Sequence, residues 1–221
     1  MNALRAKLTV LLLGLVMAGS VSADDNLWLG FKAGTLGLGL EATWRPLPWF
    51  DIRAGANAFD YDDEGSQAGI NYNATLQLES YHATTNFRFP LSPFRITAGA
   101  YSNGNELQMV SADSPSFEIG GVPYDQAQVG TLRSTTFFED VAPYLGFGFD
   151  FNVFGKVGLN LDLGVLWQGE PSVTLTAEGG LLENDPTFLA ALETERLELE
   201  AEFEDYKAYP VLSLGFSVNF F

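Results

Sequence analysis

Apolar and polar residues alternate with a period of two along several stretches of the chain. In the closing segment VLSLGFSVNFF, residues 211–221, large apolar side chains fall on one face while serine, glycine and asparagine fall on the other. The same alternation recurs at 36–45, 94–102, 143–151 and 158–167. A period of two is typical of β-strands, because successive side chains of a strand point to opposite faces. We therefore predict an all-β fold.

The lengths of the connections divide the chain into eight predicted strands. Short connections containing proline or glycine alternate with long ones, which is the pattern of outer-membrane β-barrels with short periplasmic turns and long outer loops. Seven strands follow from the alternation, and an eighth is placed at 27–33 because such barrels have even strand numbers. A lumenal N-terminal segment or a merged strand would also restore the parity. The predicted strands are 27–33, 36–45, 50–60, 74–89, 94–110, 135–151, 157–168, which could run on through 172–177, and 207–221.

The polar faces of these segments carry charged residues, so they belong either on a water-exposed surface or inside a closed barrel. Beyond residue 23 no apolar run approaches the roughly 18 residues of a transmembrane helix. A closed antiparallel barrel is the other structure that satisfies its backbone in lipid. Residues 1–23 combine basic, apolar and small residues in the order of a secretory signal, so residues 24–221 are predicted to form the barrel.

The signal pattern, the alternating segments with short Pro/Gly turns and the closing LSLGFSVNFF resemble the small eight-stranded outer-membrane barrels of the OmpA, OmpX and OmpW kind. The resemblance covers nearly all of residues 24–221. It implies a location in the outer membrane of a Gram-negative bacterium, in contact with membrane lipid and lipopolysaccharide. It also implies that the last strand is read by the barrel assembly machinery. Phe216, Val218 and Phe220 follow the spacing of that signal, and Phe221 adds one residue.

The composition is strongly acidic, with a formal net charge of −17 and no cysteine. Such a surface argues against nucleic acid as a partner, because phosphate binding needs clustered Lys and Arg. The lack of cysteine excludes thiolate metal sites and cysteine nucleophiles. An aromatic fraction of 14% and a mean hydropathy of +0.07 are too apolar for a disordered acidic chain.

Several charged residues lie on the faces predicted to point into the barrel. Opposite charges enclosed in a barrel of about eight strands would pair and fill it, which predicts an ion-pair network that plugs the lumen. A narrow or gated solute path is the alternative. The predicted network consists of Glu41, Arg45, Arg53, Arg88, Arg95, Asp140, Asp150 and Asp162.

Residues 185–205 break the strand pattern and predict an acidic amphipathic helix before the last strand. Asp185 can cap it and Pro186 suits its first position. Strand order places this helix at the outer side of the barrel. One face of this helix is an apolar stripe that consists of Phe188, Leu192, Leu199 and Phe203. The stripe could cover the loops as a lid, or it could bind another envelope protein or a surface ligand.

Candidate catalytic and metal-binding residues are few. His82 is the only histidine, and Ser80 shares its strand face, but no third member of a triad can be placed. The acidic loop at 60–64 does not have EF-hand spacing. We therefore expect no enzyme activity, no cofactor and no metal site. The prediction is a barrel with a structural or surface-interaction role, with a narrow channel or a carrier of small hydrophobic solutes as the alternative and a lipid hydrolase as a distant one.

Overall fold

The computed structural model of the chain describes residues 26–219, except for 68, 69, 113 and 115. The predicted signal segment, Phe220 and Phe221 lie outside the described residues. The strands and helices are β1 (Leu27–Gly34), β2 (Gly37–Leu47), β3 (Phe50–Gln67), β4 (Ile70–Arg88), β5 (Phe94–Asn103), β6 (Glu106–Ser111), β7 (Ser116–Ile119), β8 (Val122–Asp125), α1 (Gln126–Val129), β9 (Gly130–Phe137), β10 (Val141–Val153), β11 (Val157–Trp167), β12 (Ser172–Gly179), α2 (Pro186–Glu202), a 3₁₀ helix (Phe203–Lys207) and β13 (Ala208–Asn219).

Eight of these strands close into an antiparallel barrel in the order β1-β2-β3-β4-β5-β10-β11-β13. The first and last strands form the closing seam, with Trp28 opposite Asn219 and Gly34 opposite Ser213. Closure leaves none of the eight with a free edge along the barrel wall, so their backbone groups are paired without water. The predicted barrel fold and the helix before the last strand are confirmed.

The barrel is polar inside and apolar outside. Arg95 and Asn86 are buried on the inner face, whereas Phe147 on the outer face is 43% exposed. The outer face carries a belt of exposed apolar side chains, namely Phe31, Leu38, Trp44, Ile52, Phe87, Ile96, Leu145, Phe147, Phe151, Leu159, Trp167, Leu212, Leu214 and Phe216. The inner and outer faces predicted from the alternation are therefore the observed ones, apart from Leu36 and Asp140.

The two ends of the barrel differ. The short connections β2–β3, β4–β5 and β10–β11 share one end with Leu27 and Asn219, and this is the periplasmic side of such barrels. We call it the inner end. At the opposite, outer end, β3 and β4 extend beyond the barrel wall as a long hairpin.

The projecting part of β4 pairs with β6, which pairs with β9, which pairs with β12. The segment predicted as one strand at 94–110 is therefore two strands, β5 in the barrel and β6 outside it. The prediction at 135–151 likewise joins the end of β9 to β10, and Ser172–Gly179 is a separate strand rather than a continuation of β11. Between β5 and β6 the Gly104 N–H bonds Glu79 O at 2.8 Å as the chain changes its strand partners.

The outer strands and helices have their own apolar core. Phe188 and Leu192 on α2 pack with Phe117, Ile119 and Val129. Asp185 caps α2 by accepting hydrogen bonds from the Thr187 and Phe188 N–H groups at 2.9 and 3.0 Å. We call β6–β9, β12, α1 and α2 the outer module. Among the described residues, no helix combines the length and apolar character needed to cross a membrane.

Candidate functional site

Asp150 is the centre of a buried ion-pair network in the barrel lumen. Its carboxylate accepts hydrogen bonds from Arg53 Nη2 at 3.2 and 3.3 Å and from Arg95 Nε at 3.1 Å to both oxygens. Arg88 Nη1 also donates to it, and Asn160 Nδ2 donates at 2.6 Å. One carboxylate thus holds together three guanidinium groups from three different strands.

The network continues toward the outer end through Arg53. Its guanidinium lies 3.2 Å from Glu41, 3.5 Å from Asp51 and 3.8 Å from Asp162. Glu41 in turn lies 3.3 Å from Lys32 Nζ. Because each carboxylate contacts at least two basic groups, the buried charges compensate one another at the cost of their hydration.

Strand register brings these side chains to one level of the barrel. Gly148 on β10 lies opposite both Arg95 on β5 and Asp162 on β11. A Cβ atom at 148 would lie 2.7 Å from Arg95 Cζ, so a side chain there would occupy the space of the guanidinium. Glycine at this position therefore leaves room for the Arg95–Asp162 ion pair.

Seven of the eight residues predicted to line the lumen are brought together, namely Glu41, Arg45, Arg53, Arg88, Arg95, Asp150 and Asp162. Asp140 is exposed and lies between β9 and β10, apart from this network. Asp51 and Lys32 also belong to the network, although neither was predicted from the sequence. Asp51 lies two residues before Arg53, so extending the alternation by one step would have found it.

His82 belongs to the network rather than to a catalytic pair. Its Nε2 atom lies 3.1 Å from Glu41 and 3.2 Å from Lys32, and its ring stacks on Tyr101 at a centroid distance of 4.8 Å. Ser80 Oγ instead accepts a hydrogen bond from Asn57 Nδ2 at 2.9 Å. Both side chains therefore hold contacts within the barrel interior.

Apolar and aromatic side chains close the outer end of the lumen. Leu36, predicted to face outward, lies in the β1–β2 turn and is buried inside the barrel, because the turn reverses the chain after Gly34. Thr35 fixes this turn to β13 by donating from Oγ1 to Pro210 O at 3.0 Å and accepting at its carbonyl from Tyr209 at 2.7 Å. The outer plug consists of Leu36, Tyr101, Ala142, Tyr144, Leu166 and Val211.

The unfilled space in the lumen is distributed unevenly along the barrel axis. Three cavities around Lys32 have volumes of about 10 Å³ each, the size that holds a single water molecule. At the inner end a cavity of about 980 Å³ reaches Asp150 from the turns. The lumen is therefore packed in its middle and outer parts and open toward the inner end.

The other predicted site residues that the structure describes lie on the outer surface of the barrel, in α2 and in the 3₁₀ helix. Phe216 points outward and is 50% exposed, and Val218 is half-buried. Leu199 and Phe203 are half-buried, whereas Phe188 and Leu192 are fully inside the outer core. No group of three or more His, Cys, Asp or Glu residues is arranged to hold a metal ion among the described residues.

The outer module and the loops at the outer end carry most of the acidic residues, and the basic side chains described there are Arg133, Arg196 and Lys207. Arg196 binds Glu193 at 2.7 Å and Glu200 at 2.5 Å, and the first hydrogen bond lowers the pKa of Glu193. Hydrogen bonds to Glu170 and Glu204 raise the pKa of Lys207. The remaining carboxylates greatly outnumber these cations, so the outer surface is strongly negative.

Two solved structures share this fold, CarO2 and CarO of Acinetobacter baumannii, both eight-stranded outer-membrane barrels. CarO2 is 21% identical with a TM-score of 0.59, over 87% of this chain and 97% of CarO2. CarO is also 21% identical with a TM-score of 0.59, over 88% of this chain and 98% of CarO. At this identity the likeness is one of fold. No protein-family model and no curated protein sequence matches the chain.

The barrel surface identifies its environment. A continuous belt of exposed Phe, Leu, Ile and Trp side chains around a closed barrel faces lipid, because water would not solvate so large an apolar area. The short turns, long outer strands and polar interior complete the features of a bacterial outer-membrane barrel. The protein is thus an outer-membrane barrel of a Gram-negative bacterium, which confirms the predicted class and location.

Proposed function

We propose that this protein is a closed outer-membrane barrel whose role is structural or interactive and is carried by its outer surface. The observation that carries the proposal is the filling of the lumen. Buried ion pairs occupy its middle, the outer plug closes one end, and the cavities between them are the size of a water molecule. A barrel whose lumen is filled in this way has a structural role in the membrane and does not pass solutes.

The outer module is the part of the chain available to a partner. Phe188 and Leu192 are used in its core, which favours the lid interpretation of the helix, so a partner would contact an exposed, acidic face of α2. Glu198 and Glu202 are exposed on that face, one helical turn apart. Suitable partners are another envelope protein, or lipopolysaccharide phosphates with divalent cations bridging to the carboxylates. Membrane lipid and the barrel assembly machinery are the other expected partners, the latter through Phe216 and Val218 together with Phe220 and Phe221.

Planar-bilayer recording tests the closed lumen. Detergent-refolded protein whose unboiled gel band differs in mobility from the boiled band is expected to show no discrete conductance steps. Steps that change size in the Arg53→Gln variant would contradict the closed lumen, because Arg53 bridges four lumenal carboxylates. Unchanged steps in that variant would instead indicate a contaminating channel.

Photo-cross-linking on intact cells tests the surface role. A photoreactive residue in place of exposed Glu198 is expected to form defined adducts, and the same residue in place of Leu181 is the matched control in the same module. Adducts from position 198 alone support a binding face on α2. An absence of adducts at 198, or the same set at both positions, counts against it.

A narrow solute path is the second candidate, and one observation favours it. The inner cavity reaches Asp150, and the three water-sized cavities beyond it share Lys32 as a lining residue. Movement of the outer plug would be needed to complete such a path. The bilayer recording above distinguishes the two candidates, since conductance that depends on Arg53 favours the path.

A further inference from the structure

The cavity at the inner end has basic side chains in its wall. It measures about 980 Å³ and is lined by Arg45 and Arg88 together with Asp150. Its rim is formed by the β2–β3 and β4–β5 turns, which contribute Pro48 and Pro90. Proline fixes the backbone of these turns, so the rim is preformed rather than assembled on binding.

The charges of the lumen do not balance. Lys32, Arg45, Arg53, Arg88 and Arg95 face four carboxylates, those of Glu41, Asp51, Asp150 and Asp162. Arg53, Arg88 and Arg95 each hold a carboxylate oxygen within 3.2 Å, and Lys32 holds one at 3.3 Å. With His82 neutral, the described residues of the lumen leave one positive charge without a close counter-charge.

Arg45 is the residue that carries this surplus. Among the described residues its nearest carboxylate oxygen, on Asp51, lies 3.9 Å from Nε, at the limit of an ion pair. That Nε atom is buried and has no hydrogen-bond acceptor. The guanidinium lies 5.3 Å from the ring of Trp28, a cation–π contact that orients it without neutralising it. A buried donor of this kind costs free energy unless an acceptor reaches it.

We propose that the inner cavity is an anion-binding site, in which Arg45 binds a carboxylate or phosphate group and Arg88 adds a second positive charge. A planar guanidinium offers paired N–H donors that match both kinds of group. Asp150 and Asp51 oppose the anion, but Asp150 is already neutralised by three guanidinium groups and Asp51 by Arg53 and Arg88. The ligand enters from the periplasmic side, and the apolar turn residues contact the rest of it.

Isothermal titration calorimetry with inorganic phosphate tests the site on refolded protein in non-ionic detergent at pH 7 and low salt. Loss of a charged hydrogen-bond donor is expected to weaken phosphate binding by about tenfold to a hundredfold in Arg45→Gln. Lys156→Gln is the matched control, since it removes the same charge from an exposed turn at the same end, and it should bind as wild type does. Arg45→Lys should keep part of the affinity, because it retains the charge without the fork of donors.

Two results would overturn the proposal, provided that heat-modifiable gel mobility shows each variant to be folded. They are the absence of phosphate binding in every protein tested, and equal weakening by Arg45→Gln and Lys156→Gln, which would indicate a general charge effect.

Discussion

Replacing Asp150 with asparagine should separate the contribution of the lumen network from that of the rest of the barrel. The substitution keeps the size of the side chain and removes the charge that three guanidinium groups share. Arg53 retains Glu41 and Arg95 retains Asp162 as partners. Arg88 retains Asp51, which it then shares with Arg45 and Arg53. The variant therefore leaves an excess of positive charge in a confined space.

The expected loss of unfolding free energy in Asp150→Asn follows from the burial of Asp150. Removing one partner from a buried ion pair typically costs about 3–5 kcal/mol. Asp150 is only 5% exposed, which favours the upper part of this range, but it also borders the inner cavity, from which water can hydrate Arg88. We therefore expect Asp150→Asn to lower the free energy of unfolding by about 3 kcal/mol.

Urea unfolding of the refolded protein in lipid vesicles measures this loss, with tryptophan fluorescence and unboiled gel mobility as two independent readouts. Asp140→Asn is the matched control, because the chemical change is the same at an exposed position outside the network. Its free energy of unfolding should stay within about 0.5 kcal/mol of wild type. The reasoning is refuted if Asp150→Asn stays within about 1 kcal/mol of wild type, or if both variants lose the same amount.

Three further substitutions test separate parts of the structure. Phe188→Ala should cost the outer module about 3–5 kcal/mol and make it sensitive to protease, while the heat-modifiable barrel band persists. Gly148→Ala should crowd both the Leu161 carbonyl oxygen and the Arg95 guanidinium and lower the free energy of urea unfolding by about 1–3 kcal/mol; an unchanged midpoint would show that both can move aside at little cost. Thr35→Val should cost about 1 kcal/mol in the same titration by removing the side-chain hydrogen bonds that hold the turn carrying Leu36, and no loss would mean the backbone bonds suffice.

Most of the barrel strands could be predicted because they combine alternating residues with a clear turn, whereas β1 was placed only from the even strand number of such barrels. The division between β5 and β6 was not predicted, although the alternation of β5 ends near Ala100 and the next large apolar residues, Leu107 and Met109, fall on the opposite parity. What changes there is the strand partner, because β5 pairs with β10 while β6 pairs with β9. Partner choice is a tertiary property that local periodicity does not contain. The outer module was missed for this reason.

The lumenal site could be predicted where charged residues occupy the inward positions of a correctly predicted strand. Arg53 and Asp150 lie on inward positions of long strands, so alternation alone placed them in the lumen. Asp140 also fits the parity of the segment at 135–151, but that segment is two strands with an exposed connection between them. Leu36 was misplaced because a two-residue turn ends the alternation that β2 begins at Gly37. Errors in the predicted site thus follow from errors in strand boundaries.

The net charge of −17 conceals two different environments. In the lumen the charges nearly cancel, because an uncompensated charge is costly where water is scarce. On the outer module an excess of carboxylates is tolerated, since water and salt screen exposed charges within about 10 Å. Among the described residues, unbalanced charge therefore remains on the negative outer surface and at the inner end, where Arg45 lies. These are also the two places open to solution, so partners on opposite sides of the membrane should carry charges of opposite sign: cations or cationic surfaces outside, and anions in the periplasm.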